Sequence, residues 1–328
     1  MPTRSLRFRG VLLGAVAAIA VTCASALAAA PPPAPTATTG GASAVTYQSA
    51  TLTSTVNPNG SATEVYFEYG TTTAYGTSSA PPDALPAGSK TVAVTGNLTG
   101  LVAFTKYDYR VIAISANGTT KGLNETFTTA KIPLSIQIAA DPSPAFYNGL
   151  VTIEGTLAGT GNANQAIELQ ENPYPYTAGF TQVGNSELTS STGAYTFTLP
   201  SVIISTEYRV VNVNHPTIIS PVIAEGDAVV ATLQTQRKGT HAHPAARFFG
   251  TVSPGIETDA KIAIERLEGT SWQTVGGTIT SSTAHNGVTT FSVVVHFKHP
   301  GFYHVFVQPV EGSHVVGRSG PHYVKGYK

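Results

Sequence analysis

The segment Leu101–Arg110, which reads LVAFTKYDYR, constrains the fold of this chain most strongly. Thr105, Tyr107 and Tyr109 alternate with other residues, and this alternation predicts a corner that leads into a β-strand. A tyrosine two residues past a corner threonine can bury its ring while its hydroxyl bonds backbone around the bend. We therefore expect Leu101, Thr105 and Tyr107 to form a structural corner.

Short strand-like runs separated by turns recur along the whole chain. Turns are indicated at Asn57-Pro58-Asn59-Gly60, Asn117-Gly118, Asn148-Gly149 and Asn286-Gly287. No window outside the N-terminal segment has sustained apolar residues at helical spacing. The chain is therefore predicted to be all-β, with three tandem antiparallel β-sandwiches after an N-terminal signal peptide.

Residues 43–130 resemble fibronectin type III repeats of secreted bacterial proteins. That family opens its sixth strand with Leu-x-Pro-x-Thr-x-Tyr, and Leu101, Thr105 and Tyr107 match the pattern. Ala103 replaces the proline. The resemblance implies a β-sandwich for this segment and assigns it no function.

The rest of the chain contains a weak internal repeat. The corresponding pairs are residues 153–157 and 248–252, 166–168 and 263–265, 181–184 and 273–276, and 206–211 and 301–306. Both copies resemble bacterial immunoglobulin-like modules. The predicted organisation is a signal peptide (1–28), a Pro/Thr-rich linker (29–42), a fibronectin type III-like domain (43–130), and two immunoglobulin-like sandwiches (131–237 and 238–328).

Two expectations concern single side chains. The strands that carry Glu68 and Arg110 are neighbours in fibronectin type III folds, so we expect these two side chains to pair on an outer face. The repeat and the Thr-x-Tyr spacing also predict that Tyr107, Tyr208 and Tyr303 are equivalent and buried.

The N-terminus has the pattern of a secretory signal. Arginines precede the short apolar stretch Val11–Val21, and Ala26-Leu27-Ala28 has the form of a cleavage site. We therefore expect a secreted or cell-surface protein with no membrane span after cleavage. An uncleaved anchor and a lipid at Cys23, the single cysteine, are the alternatives. Cleavage would leave a chain without thiols, so each domain would depend on its apolar core.

Composition and motifs argue against several classes of function. The 18 basic and 18 acidic residues cancel, which gives no electrostatic case for a nucleic-acid partner. No motif for nucleophilic, metal-dependent or nucleotide chemistry is present, and the acidic residues are scattered. We expect no catalytic residue, no cofactor and no enzymatic activity.

Histidine is the one residue with a biased distribution. Eight of the nine lie in the last predicted domain: His241, His243, His285, His296, His299, His304, His314 and His322. Imidazoles can collect zinc or copper, but cysteines are absent there and acidic residues are few. We expect exposed histidines without a metal site, and we expect His304, at the repeat position of Arg209, to point outward.

The loop Asn172-Pro173-Tyr174-Pro175-Tyr176 is a candidate ligand loop. Its prolines stiffen the backbone and could present the rings of Tyr174 and Tyr176 to a sugar or peptide. Alternatively, the rings fold back onto their own sheet.

These observations predict a non-enzymatic modular protein that acts as a spacer or adhesive binding module. Its expected partners are extracellular polysaccharide, cell wall or a surface protein. One alternative is an accessory component of extracellular polysaccharide degradation, associated with a glycosidase. A second alternative is metal binding through the His-rich last domain.

Overall fold

The computed structural model describes residues 30–79, 82–297 and 299–326, and every regular element within these ranges is a β-strand. The chain is all-β, and its antiparallel sheets form tandem sandwiches, which confirms the predicted fold class. The predicted signal peptide and Cys23 lie outside the described residues. Within the described ranges, no helix is long and apolar enough to cross a membrane.

The chain divides into two compact units. Among the described residues, the first unit takes in those up to Ala44, Ala50–Leu98 and Lys106–Phe127, and the second takes in Val45–Ser49, Thr99–Thr105 and those from Thr128 onward. The first sandwich lies mostly in the first unit, and the second and third sandwiches lie in the second unit. The predicted limits between the three sandwich domains stay predictions.

The first sandwich consists of two sheets. Its strands are β1 (Thr36–Ser43), β2 (Ser49–Asn57), β3 (Thr63–Gly70), β4 (Thr77–Ser78), β5 (Asp83–Leu85), β6 (Val92–Thr99), β7 (Lys106–Ser115), β8 (Gly118–Lys121) and β9 (Glu125–Thr128). One sheet has the order β1-β2-β6, and the other has the order β4-β3-β7-β8, with β5 on β3 and β9 on β7. The sheets meet where Phe67 packs over Gly96, since a Cβ on Gly96 would lie 2.6 Å from that ring.

Residues 36–43 form β1, so residues 36–42 of the predicted linker (29–42) belong to a strand. β1 pairs antiparallel with β2. It is tied to β7 by two hydrogen bonds: the Tyr109 hydroxyl donates to the Gly40 carbonyl at 2.8 Å, and the Val111 amide donates to Thr39 Oγ1 at 3.2 Å. A strand of Thr, Ala, Gly and Ser lacks the large apolar residues that reveal a strand in a sequence.

The second sandwich also consists of two principal sheets. Its strands are β10 (Ser135–Asp141), β11 (Ala145–Phe146), β12 (Gly149–Ala158), β13 (Ala166–Pro173), β14 (Thr181–Leu188), β15 (Ala194–Val202), β16 (Thr206–Asn212), β17 (Ile223–Glu225) and β18 (Asp227–Ala228). The sheet orders are β10-β12-β15 and β14-β13-β16-β17, and β11 pairs with β18. The core between the sheets includes Ile153, Leu157, Leu169 and Tyr208.

The third sandwich repeats this plan. Its strands are β19 (Val230–Ala231), β20 (Gln234–Arg237), β21 (Ala245–Ser253), β22 (Lys261–Glu268), β23 (Ser271–Ile279), β24 (Thr289–His296), β25 (Gly301–Gln308), β26 (Gly317–Arg318) and β27 (His322–Val324). One sheet contains β19, β20, β21 and β24, and the other contains β22, β23, β25, β26 and β27. Phe248, Ile264, Tyr303 and Val305 belong to its core.

The strand register corrects one part of the internal repeat. Leu169 lies opposite Val210, and Ile264 lies opposite Val305. Since Val210 and Val305 correspond, Ile264 corresponds to Leu169 and not to Ile167. The sequence correspondence between residues 166–168 and 263–265 is therefore displaced by two residues. A shift of two leaves the alternation of inward and outward side chains unchanged, so the sequence pattern alone does not reveal it.

Candidate binding surface: three aromatic stacks

The predicted corner residues lie where the chain enters β7. The Thr105 hydroxyl donates to the Ala103 carbonyl at 3.0 Å, and Leu101 is buried. The Tyr107 ring stacks on Phe127 with ring centres 5.5 Å apart. Leu101 and Tyr107 thus pack inward, whereas Val102 and Phe104 between them are exposed. The role of Leu101, Thr105 and Tyr107 as a structural corner stays a prediction.

The burial expected of Tyr107, Tyr208 and Tyr303 is confirmed, but their expected equivalence is wrong for Tyr107. By cross-strand register, Tyr109 takes the place of Tyr208 and Tyr303. The predicted pair of Glu68 and Arg110 is also confirmed. These residues lie directly opposite one another on β3 and β7, and Arg110 Nη2 is 2.7 Å from Glu68 Oε2.

The candidate loop presents one exposed ring. The rings of Tyr174 and Tyr176 meet edge to face, 5.6 Å apart, and Tyr176 is 37 % exposed. Tyr174 lies against the third sandwich, since a Cβ on Gly312 would be 3.1 Å from its ring. Burial, with smaller contributions from the charges of Glu207 and Tyr174, raises the pKa of the Tyr176 hydroxyl. Tyr174 therefore packs between the second and third sandwiches. The ligand role of the loop stays a prediction.

The expectation of exposed histidines is wrong for two of them. His304 and His314 are buried, whereas the exposed set consists of His241, His243, His285, His296 and His299. His322 is half-buried and lies 2.9 Å from Thr235 Oγ1. Within the described ranges, no three His, Cys, Asp or Glu side chains are arranged to hold a metal ion.

His304 belongs to an arrangement that recurs in each sandwich. In the first sandwich, the Arg110 guanidinium lies 4.4 Å from the ring centre of Tyr75, and both Nε and Nη2 donate to Glu68. The hydroxyl of Tyr75 donates to Asn124 Oδ1 at 3.0 Å. Tyr75, Arg110 and Glu68 are called stack 1.

Stack 2 consists of Phe180, Arg209 and Gln170 in the second sandwich. The Arg209 guanidinium lies 4.2 Å from the ring centre of Phe180. Arg209 Nε donates to Gln170 Oε1 at 2.7 Å, and the Gln170 amide donates to Glu168 at 2.6 Å.

Stack 3 consists of Trp272, His304 and Glu265 in the third sandwich. The indole and imidazole rings are nearly parallel, with an interplanar angle of 13° and ring centres 3.8 Å apart. His304 Nε2 lies 2.6 Å from Glu265 Oε2. His304 lies beneath the half-buried indole, which explains why it is buried although it lies on the outer face.

The three stacks have the same place in the fold. The acceptor and the stacked side chain are direct cross-strand partners in each sandwich: Glu68 with Arg110, Gln170 with Arg209, and Glu265 with His304. The aromatic ring always follows the acceptor's strand in the chain: Tyr75 after β3, Phe180 after β13, and Trp272 after β22. Each sandwich therefore carries an oriented donor–acceptor pair beside an aromatic ring on one outer face.

Stack 1 suits an uncharged ligand with both an apolar face and hydroxyl groups. An aromatic ring offers dispersion contact to C–H groups, and a guanidinium–carboxylate pair offers donors and acceptors in fixed directions. In stack 1 the charges of Arg110 and Glu68 cancel, so no net charge favours an ionic ligand.

Comparisons with known proteins add little beyond this geometry. No protein-family model matches the chain, and no curated protein matches it. Among solved structures, the FN1–FN3 domains of chicken CNTN1 are 14% identical, with 91% of this chain and 99% of that chain covered and a TM-score of 0.30. A structure of titin domains is 12% identical, with 89% of this chain and 99% of that chain covered and a TM-score of 0.37.

A tetra-tandem repeat from the extending region of a large adhesion protein is 11% identical. The match covers 89% of this chain and 74% of that chain, with a TM-score of 0.26. Sequence identities and TM-scores at this level support no conclusion about function. The functional proposal therefore depends on the residues of this chain.

Proposed function

We propose that this chain is a non-enzymatic extracellular spacer and adhesive module that binds neutral polysaccharide through its aromatic stacks. The recurrence of the same three-part stack at the same register in three sandwiches supports this proposal. A polysaccharide repeats its own unit, so it could engage several stacks of one chain, and several weak contacts would add up to firm retention.

The chemistry of the stacks favours a sugar over other extracellular ligands. A pyranose has an apolar C–H face that packs on an aromatic ring and hydroxyl groups that bond to a guanidinium or carboxylate. Residues 1–28 contain Arg4, Arg7 and Arg9 and no acidic residue, so the chain without them has 15 basic and 18 acidic residues. The Arg110 charge is neutralised by Glu68, so an anionic polymer would gain no electrostatic attraction.

Affinity electrophoresis tests the proposal. The chain without residues 1–28 is run through gels that contain soluble neutral glucan, xylan or mannan, with polygalacturonate as the anionic comparison. We expect retardation in at least one neutral gel, and we expect the combined variant Tyr75→Ala, Phe180→Ala and Trp272→Ala to abolish it.

Phe249→Ala is the matched control. The Phe249 ring lies 5.1 Å from Arg247 on the other sheet of the third sandwich, so it is also a surface aromatic beside a cation. Arg247 donates to the Ser292 hydroxyl, so this pair lacks the direct cross-strand acceptor that each stack has. Retardation should survive this change. Equal mobility of wild type in all gels, or full retardation of the combined variant, would refute the proposal.

A further inference from the structure

The junction between the second and third sandwiches is closed by backbone hydrogen bonds on both sides of the connecting chain. β18 pairs in parallel with β11, where Asp227 lies opposite Ala145. On the other side, the Val315 amide donates to the Asp227 carbonyl at 2.8 Å, and the Val229 amide donates to the Val315 carbonyl at 3.3 Å. The Ser205 amide also donates to the Ser313 carbonyl at 2.8 Å. Both sandwiches thus hold the connecting chain.

Close approach at this junction requires glycine. A Cβ on Gly317 would lie 1.8 Å from the Val229 carbonyl oxygen, and a Cβ on Gly226 would lie 2.8 Å from the Val315 side chain. The loop that contains His314 therefore packs against the connecting chain without space between them.

The His314 side chain is 1 % exposed and lies between carboxylates from both sandwiches. Its Nδ1 is 3.0 Å from Oε1 of Glu257, which follows β21 in the third sandwich. Its Nε2 is 3.5 Å from Oδ2 of Asp227 on the connecting chain and 3.3 Å from the Ile203 carbonyl oxygen of the second sandwich. Both ring nitrogens therefore face acceptors.

This geometry suits the protonated imidazole. A neutral imidazole has one N–H, whereas the imidazolium has two and can donate to both sides of the junction. The Ser313 hydroxyl lies 2.9 Å from Nδ1 and could donate to a neutral ring, but the Glu257 oxygen would then face a lone pair. Protonation thus satisfies contacts in both sandwiches at once.

Asp227 makes the junction sensitive to a second proton. Its side chain is 0 % exposed, and in the described part of the chain neither carboxylate oxygen has a hydrogen-bond partner. Among the described residues, His314 is the one cation within 4 Å of either Asp227 or Glu257. The other ionisable groups that face the cluster are Glu225 at the end of β17, Tyr147 after β11 and Tyr208 of β16.

We propose that protons bound by His314 and Asp227, with Glu257 as the ion-pair partner of His314, lock the second and third sandwiches together, and that the junction loosens as the pH rises above neutrality. The lock would make the spacer stiff in acidic surroundings and more flexible in alkaline ones. It is independent of polysaccharide binding.

The pKa values of the cluster give the direction. Burial, reinforced by Glu225 and opposed by His314, raises the pKa of Asp227 from 3.8 to about 7. Burial lowers the pKa of His314, but the hydrogen bond to Glu257 and the charges of Asp227 and Glu257 leave it above its ordinary 6.5. Burial also raises the pKa of Glu225. Asp227, His314 and Glu225 thus bind protons more tightly in the folded chain than in the unfolded chain. Their contribution to stability is present at low pH and is lost as the pH rises through their folded pKa values.

Time-resolved energy transfer across the junction tests the lock. The chain without residues 1–28 has no cysteine, so Thr192→Cys and Gln273→Cys give exposed labelling sites on the second and third sandwiches. We expect a narrow distance distribution at about pH 5 and one about twofold broader at about pH 9, with a midpoint near neutrality. His314→Gln should be broad at every pH, and Asp227→Asn should keep the narrow distribution at higher pH.

His322→Gln is the control, because this half-buried histidine bonds to Thr235 away from the junction. It should titrate like the wild type. A wild-type distribution of constant width across this pH range would overturn the lock, as would an Asp227→Asn variant that broadens at the same pH as wild type. If His314→Gln does not fold, these two comparisons still decide the question.

Discussion

Replacing Asp227 by asparagine should weaken the loss of stability that the second compact unit undergoes as the pH rises. The wild-type carboxyl has a pKa of 3.8 in its ordinary state and about 7 in the folded chain. At 1.36 kcal/mol for each pH unit, this difference corresponds to about 4 kcal/mol of unfolding free energy that is present near pH 4 and lost by about pH 8. The sign follows because the folded chain holds the proton more tightly than the unfolded chain.

Asparagine is neutral at every pH and nearly isosteric, so the variant should lack this loss. Its amide gains no obvious partner, and burying an unpaired amide costs about 1–3 kcal/mol at all pH values. The variant should therefore be less stable than wild type near pH 4 and as stable or more stable near pH 8. The change in their difference, about 4 kcal/mol, is unaffected by the constant amide penalty.

Urea unfolding of the chain without residues 1–28 measures this effect. Trp272, the single tryptophan, reports the third sandwich by its fluorescence. Unfolding free energies of wild type and variant are compared at intervals between about pH 4 and about pH 8. Parallel curves for the two proteins would show that Asp227 does not titrate in this range and would refute the reasoning.

Two further predictions concern the first sandwich. Tyr109→Phe removes a hydroxyl that donates to the Gly40 carbonyl from a ring that is 0 % exposed. It should lower the unfolding free energy by about 0.5–1.5 kcal/mol, and an unchanged urea midpoint would contradict the hydrogen bond between β7 and β1. Glu68→Gln should change stability by less than about 1 kcal/mol, because the side chains of Arg110 and Glu68 are 24% and 28% exposed, and a larger loss would show that the pair supports the fold and not only stack 1.

Strand pattern and face were readable from the sequence wherever large apolar residues alternate. Val65 and Phe67 point inward, which places Glu68 on the outer face opposite Arg110. The sequence pattern does not predict β1, because Thr39 and Gly40 provide a hydrogen bond and close packing but no alternation of apolar residues.

The functional geometry depends on contacts that no local pattern encodes. Tyr75 lies in a loop at a φ of 61°, and nothing in its neighbours indicates that Arg110 covers its ring. His314 meets Asp227 and Glu257 only because the third sandwich folds back against the connecting chain. Tertiary contacts made by residues in loops, and not sequence spacing, bring these groups together.

The most direct test of the proposed function is a fluorescence titration of Trp272 with neutral oligosaccharides from the polysaccharide that retards the chain most. The indole forms the outer layer of stack 3, so a bound sugar should change its emission with a saturable dependence on concentration. The titration gives a dissociation constant. We expect it to equal the dissociation constant that calorimetry measures on the same chain for the site that Trp272→Ala removes. Unaltered emission under conditions where the sugar binds, with full binding by Trp272→Ala, would contradict the claim that stack 3 is a binding site.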